Sequence, residues 1–273
     1  MRIDSHLHVW TDGSPPFTHN DQKSTSRPTE VGPVERVIDF MDRFNVDITV
    51  LIQCMYHGYD NSYMCHCMDR FPDRLRGVAL IDPKKPDAPA IMERLFKDHR
   101  VQGMRLYPIS DEDASWLSAA DQHPLWEMAK SLGVPFIWFG RCYQMPHLEP
   151  MLERFPEVKI IIDHLGEPIL DEGIDGSFQN LLRLSKNSNV YVKCTRIDGI
   201  SGEPSPYENL HPWVKAVYES YGANRMLACT GFMNNPPGDD ALGFRVIEEV
   251  FPFFTAEDKE WILGKTAASI YEC

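Results

Sequence analysis

Short runs of apolar, β-branched and aromatic residues recur along the whole chain. They cover Ile3–Val9, Ile48–Gln53, Leu75–Ile81, Gly103–Tyr107, Val134–Phe139, Lys159–Asp163, Val190–Lys193 and Arg225–Cys229. Most are apolar almost throughout rather than alternating (VALI, FIWF, IIID), the pattern of strands covered on both faces of a parallel sheet. Between them lie segments of helical period. Val34, Val37, Ile38, Met41 and Phe44 form one apolar stripe, Ile91, Leu95 and Phe96 a second. Trp126, Met128, Ala129 and Leu132 lie in a third, Trp213, Val214, Val217 and Tyr221 in a fourth, and Val246, Ile247 and Val250 in the last. Gly133 and Gly222 stand where helix ends favour glycine, and Pro72, Pro156 and Pro252 follow helical stretches.

Eight strand–helix units in 273 residues predict an α/β fold of the (β/α)8 TIM-barrel type, as one domain over 1–273. An open doubly wound sheet would need a glycine-rich phosphate loop after its first strand, and the chain has none there. The polar, proline-rich stretch Thr11–Pro33 reads as a long loop over the barrel mouth, with Gly199–Tyr207 and Asn234–Asp240 as similar loops.

Composition narrows the partners. With 43% apolar and 25% charged residues and a net charge of −13, the chain is ordinary for a globular protein. It lacks the basic patch that nucleic acid or an anionic membrane requires, although a small anionic substrate needs only two or three well-placed cations. No run approaches 18 apolar residues, so no membrane span is expected. The N-terminus has no secretory pattern, and seven cysteines without regular spacing are no disulfide framework. A reduced, cytoplasmic protein is expected. A homodimer is an open option. Cys65-His66-Cys67 falls on an expected helix, Asn61–Phe71, where positions two apart diverge by about 200°, which argues against zinc there.

Barrel chemistry sits at the C-terminal ends of the strands. The first run ends in His6-Leu7-His8, whose imidazoles share one side of a strand and could hold a divalent ion or donate hydrogen bonds. Asp4 has the same parity but lies deeper, as a residue that orients a histidine would. The second run ends in Gln53, followed by Tyr56, His57 and Tyr59. The fourth offers Arg105 and Tyr107, with Arg105 either anchoring a substrate carboxylate or forming a structural ion pair. Trp138 and Phe139 end the fifth. His164 ends the sixth as a candidate ligand, acid–base group or donor, and Asp163, its neighbour, is expected to face the helices. Lys193 ends the seventh, suited to a developing oxyanion, with Asp198 close behind. Phe232 follows the eighth. Cys54, Cys142, Cys194 and Cys229 read as small buried side chains near a crowded mouth.

The segments IDSHLHVW, RFPDRLRGVALIDP, GMRLYP, RFPEVKIIIDHLG, VYVKCT, YGANRMLACTGF and EDKEWILGKTAASIYE resemble, in order and over nearly the whole chain, the amidohydrolase superfamily. The resemblance is to its amidohydrolase-2 branch of lactonases and metal-dependent decarboxylases. It implies the barrel, and hydrolysis of an ester or lactone or, in some branches, loss of CO₂. It implies His6, His8 and His164 as metal ligands for one zinc or manganese ion. Where that family carries a strand-eight Asp, serving as ligand and water-activating base, this chain has Gly231, so metal-independent action stays open.

The leading expectation is a hydrolase opening a small carboxylated or aromatic lactone. His6, His8, His164, Lys193 and Asp198 would be catalytic, and Gln53, Tyr56, Tyr59, Arg105, Tyr107, Trp138 and Phe232 would line the substrate. A lyase using the same pocket and a non-catalytic ligand-binding barrel are the alternatives. The base is open among Asp163, Asp198, His57 and a loop residue.

Overall fold

A computed structural model describes residues 1–20, 30–232 and 239–271. The middle of the first expected mouth loop (21–29) and most of the last (234–238) lie outside the described residues. The chain runs β1 (Ile3–Leu7), α1 (Val34–Phe44), β2 (Ile48–Ile52), α2 (Ser62–Arg70), β3 (Leu75–Leu80), α3 (Ala88–His99), β4 (Val101–Leu106), α4 (His123–Leu132) and β5 (Phe136–Trp138). It continues through α5 (Glu149–Arg154), β6 (Ile160–Ile162), α6 (Phe178–Leu184), β7 (Val190–Lys193), α7 (Ile197–Ser201), α8 (His211–Tyr221) and β8 (Met226–Leu227). Seven of the eight expected runs contain one strand each, and the fourth, Gly103–Tyr107, overlaps β4, which begins two residues earlier at Val101. The strands pair in parallel in chain order, and the Ser5 amide (3.2 Å) and hydroxyl (2.7 Å) both donate to the Ala228 carbonyl, joining last strand to first.

Burial explains the helices. On α1 Val34, Val37, Phe40 and Met41 are buried, and the helix stops at left-handed Asn45. α4 ends at Gly133, φ +67°, and α8 at Gly222, φ +74°, as the sequence predicts. No helix among the described residues is long and apolar enough to cross a membrane.

Two apolar layers result. The larger lies between strands and helices and takes Leu7, Leu51, Ala79, Met104, Leu106, Phe136, Trp138, Ile160, Ile162, Val190 and Val192 from the sheet. The smaller fills the barrel floor with Ile3, Ile48, Val50, Ile52, Val78, Ile137, Ile161 and Leu227, closed below by Ala267 and Tyr271 of the C-terminal segment. The floor is tight: a Cβ on Gly103 would lie 2.8 Å from Ile137 Cδ1 and 2.9 Å from Val78 Cγ2. Side chains one step further along the inward rows therefore stand on a filled floor and face the mouth.

Two expected lining residues belong to the outer layer instead. Trp138 is fully buried there, because alternation points 136 and 138 at the helices and 137 at the floor. Phe232 stacks on Phe40 of α1, ring centroids 4.4 Å apart, and serves the same layer.

Candidate active site

The site begins with a flaw in β1. Residues 3 and 7 of a regular strand share a face, yet Ile3 joins the floor and Leu7 the helix layer. The β1–β2 register shifts between them, as a bulge produces. With Leu7 outward, His6 and His8 turn into the hollow. Asp4 stands at the irregularity. One of its oxygens accepts the His6 amide (3.1 Å), the other the Thr230 amide (3.2 Å) and hydroxyl. Asp4 thus orients His6 through its backbone rather than its ring, and burial pushes its carboxyl up to about 6.

At the centre is Asp163. Its Oδ2 accepts from Arg105 Nη2 at 2.8 Å and Nε at 3.2 Å, and its Oδ1 lies 3.0 Å from Lys193 Nζ and 3.3 Å from His6 Nδ1. All four side chains are buried, Asp163 and Lys193 completely. Burial alone would raise the Asp163 carboxyl, but the charges of Lys193 and Arg105 hold it well below the usual range. The expectation that Asp163 faces the helices is therefore corrected. Ile161 is on the floor, so alternation carries Asp163 inward as well.

His164 reaches the same hollow by leaving the strand. Its φ is +51°, and Leu165, Gly166 and Glu167 follow at +54°, +72° and +47°. Each non-glycine residue held there pays roughly 1–2 kcal/mol, strain that clusters at functional positions. The turn brings the His164 ring centroid to 4.9 Å from that of His6, and His164 Nδ1 bonds Thr195 Oγ1 at 2.7 Å.

The protons in this cluster follow from its partners. His8 Nδ1 lies 2.8 Å from the Ile52 carbonyl oxygen, which only accepts, so Nδ1 carries the hydrogen and Nε2 of the neutral ring is a lone pair. His6 Nε2 is 3.3 Å from that lone pair and donates to it. His6 Nδ1 is then an acceptor, filled by Lys193 Nζ at 3.2 Å. In agreement, Asp163 Oδ1 receives no aligned hydrogen bond among the described residues. Burial, reinforced for His6 by Lys193 and for His8 by Arg105, lowers both imidazoles, His8 to about 4. Burial likewise lowers His164. All three rings are neutral at pH 7.

Other expected residues divide. Tyr107 and Phe139 form an aromatic wall, centroids 5.1 Å apart, with Phe139 edge-on to His164 at 5.6 Å. Half-buried Tyr56 meets Trp10 at 5.7 Å, and Tyr59 is half-buried in the same loop. Arg105 is the structural ion pair rather than a free anchor, its guanidinium 4.4 Å from the Phe139 ring centroid. Gln53 points outward and holds its loop, donating to the Gly58 (3.0 Å) and Asp60 (2.7 Å) carbonyls. His57 likewise pins the first mouth loop, through the Thr18 carbonyl and the Thr11 amide. Asp198 is exposed on α7, where its charge acts on Tyr207 rather than on the cluster. Burial raises the Cys54 and Cys194 thiols to about 12, and Cys142 and Cys229 upward too, so none is a ready nucleophile.

The metal set changes as well. Among the described residues, the side chains with ligand atoms all within 4.8 Å of one another are His6, Asp163 and His164, rather than the three histidines. They do not fit a divalent ion. Asp163, the single anion among them, already faces Lys193 and Arg105, which outweigh it, and Lys193 Nζ contacts both Asp163 Oδ1 (3.0 Å) and His6 Nδ1 (3.2 Å), putting a positive charge against two of the three side chains. Gly231 offers no side chain, and its φ of +72° disfavours any residue that would.

Comparison with known proteins agrees with this architecture. The sequence profile described as Amidohydrolase matches residues 3–273. The chain is 26% identical over 238 residues to an L-fucono-1,5-lactonase of Burkholderia ambifaria, covering 83% of this chain and 78% of that protein. It is 26% identical over 223 residues to a 4-sulfomuconolactone hydrolase of Rhizobium radiobacter, covering 79% and 70%. Among solved structures, a "probable 2-pyrone-4,6-dicarboxylic acid hydrolase" of Acinetobacter baumannii with bound citric acid superposes at a TM-score of 0.82, with 19% identity over 98% of both chains.

Proposed function

The chain belongs to the amidohydrolase family, and from that premise we propose that it hydrolyses a small anionic lactone without a bound metal ion. One observation carries the reading: three neutral imidazoles meet over a buried ammonium, with His6 Nε2 3.3 Å from His8 Nε2 and the His6 and His164 rings 4.9 Å apart. With Nδ1 of His164 already bonded to Thr195, its Nε2 is the atom left to meet a substrate, while His8 Nε2 holds the His6 Nε2–H in the free site. The His6 Nε2–H, polarised from behind by Lys193, and His164 Nε2 would hold the carbonyl oxygen as it gains charge. Such preorganised groups act strongly where water is excluded. His8 Nε2 would accept the His6 Nε2–H hydrogen bond in the free site and release it to the carbonyl oxygen when the substrate binds, the proton staying on His6.

The cluster also bears on substrate class. Arg105 and Lys193 against Asp163 leave one positive charge in excess, which favours a carboxylated lactone, and the Tyr107–Phe139 wall suits a flat ring. Tyr56 and Tyr59 would border it. Two relatives named for lactone hydrolysis support the reaction type.

The test is a panel containing L-fucono-1,5-lactone and 2-pyrone-4,6-dicarboxylate, followed by proton release and by CO₂. Proton release without CO₂, abolished in a folded His6→Ala variant, is expected. CO₂ evolution would make the protein a lyase. Ligand-raised melting temperature without turnover would make it a binding barrel.

A further inference from the structure

With glycine at 231, the water that attacks the lactone needs a base from elsewhere in the chain. Among the described residues, three carboxylates lie beside the cluster: Asp163 within it, Asp4 on β1 and Glu167 on the segment that carries His164. Asp163 is clamped by Arg105 and Lys193. Asp4 lies behind β1, both oxygens engaged by His6 and Thr230. Glu167 differs. It closes the left-handed turn that starts at His164, in which the Gly166 amide donates to the Asp163 carbonyl at 2.9 Å and the Glu167 amide to the His164 carbonyl at 3.0 Å. Such a turn has about three residues per revolution, so side chains three apart project on the same side. Glu167 therefore stands one turn above His164, toward the rim. Its Oε1 accepts from Arg196 Nη1 at 2.6 Å, the side chain is 16% exposed, and Oε2 has no partner among the described residues.

Resting on the lactone-hydrolase reading, we propose that Glu167 Oε2 is the base that deprotonates the hydrolytic water, in the role of the missing strand-eight carboxylate. As the water oxygen bonds to the carbonyl carbon, its proton passes to Oε2 and the carbonyl electron pair moves to the oxygen held by His6 and His164. When the intermediate collapses, the C–O ring bond breaks and the leaving oxygen takes that proton from Glu167. The product is the hydroxy acid, which then ionises to solvent, and the carboxylate is restored.

The surroundings suit a base. Arg196 enters from the β7–α7 junction, Arg141 from the end of β5, Arg105 from β4, and Asp163 lies below on the same segment. Burial raises the Glu167 carboxyl, and Asp163 adds to that. Arg196, Arg141 and Arg105 oppose the rise without cancelling it. A carboxylate so placed is a better proton acceptor than a free one.

The experiment uses the full chain with L-fucono-1,5-lactone and 2-pyrone-4,6-dicarboxylate. Glu167→Gln, which keeps an acceptor for Arg196, is expected to lose about 100-fold or more in kcat at unchanged Tm, and formate is expected to restore part of the activity of Glu167→Ala. Arg196→Gln removes the cation that restrains Glu167, so the acid limb of the pH–rate profile should move to higher pH. That variant decides the matter should Glu167→Gln fold poorly. A folded Glu167→Gln within about threefold of wild type, or an acid limb unmoved in Arg196→Gln, overturns the assignment and leaves the lactonase reading standing. A wild type that opens neither lactone overturns both.

Discussion

Lys193 Nζ approaches His6 Nδ1 at 3.2 Å from the closed side of the barrel, and the lysine is wholly buried. The contact sets the His6 tautomer and delivers positive charge to the imidazole that faces the hollow. Lys193→Met keeps the length of the side chain and removes the charge. It should cost about 100-fold or more in turnover and, by leaving Asp163 with Arg105 alone, lower stability. Assays on the lactone panel and urea unfolding measure the two effects separately.

Removing the anion is harsher. Asp163→Asn leaves two buried cations facing each other across a neutral amide, and breaking a buried pair in this way costs about 3–5 kcal/mol. Adding Arg105→Met should recover part of that loss, because the two effects share one interaction. Strict additivity in a double-mutant cycle would mean that Arg105 and Asp163 are not coupled.

Stability should fall as the solution is acidified from pH 7. His6, His8 and His164 stay unprotonated in the fold, with His8 lowered to about 4, whereas the unfolded chain binds protons at its ordinary imidazoles near 6.5. Each therefore contributes stability that is complete above 6.5 and is lost below it, by up to ~1.4 kcal/mol per pH unit. Asp4 works the other way. Its carboxyl is raised from 3.8 to about 6, so the fold binds that proton first and offsets one imidazole in this window. Asp163, held below the usual carboxylate range, adds a further loss only as the pH drops below about 4. Urea midpoints between about pH 7 and pH 5 should decline, and more shallowly in His164→Gln. A flat profile would show that the imidazoles titrate freely.

Metal chemistry can be checked directly. Dialysis against EDTA should leave turnover unchanged, and Gly231→Asp should lower Tm without raising zinc content, since φ of +72° strains a side-chain-bearing residue by roughly 1 kcal/mol or more. Stoichiometric zinc in either protein would contradict the charge argument.

Gln53 supplies a contrast within the expected substrate set. Gln53→Ala removes two hydrogen bonds that hold the Gly58 and Asp60 carbonyls. It should cost about 1–3 kcal/mol in stability and leave KM for a bound lactone nearly unchanged. A large rise in KM at unchanged Tm would return Gln53 to the pocket lining.

The chain by itself determined the order of elements and the strand ends from which chemistry is presented. Apolar runs and helical stripes depend on short-range alternation, and that alternation is written residue by residue. His6, His8 and Lys193 were legible for the same reason, as polar residues closing apolar strands. Asp163 was legible in principle, since Ile161 inward implies 163 inward, but His164 obscured it: both neighbours reach the hollow, which no extended strand permits. Only the tertiary structure decided that point, because a left-handed turn, held by the packing around it, overrides alternation. The same holds for Arg105, whose fork could equally meet a substrate or a carboxylate, and for Glu167, whose place above His164 depends on four consecutive positive φ angles. Periodicity records which face a residue occupies. It carries no record of which distant charge it will meet there, and in a barrel that partner comes from a strand tens of residues away.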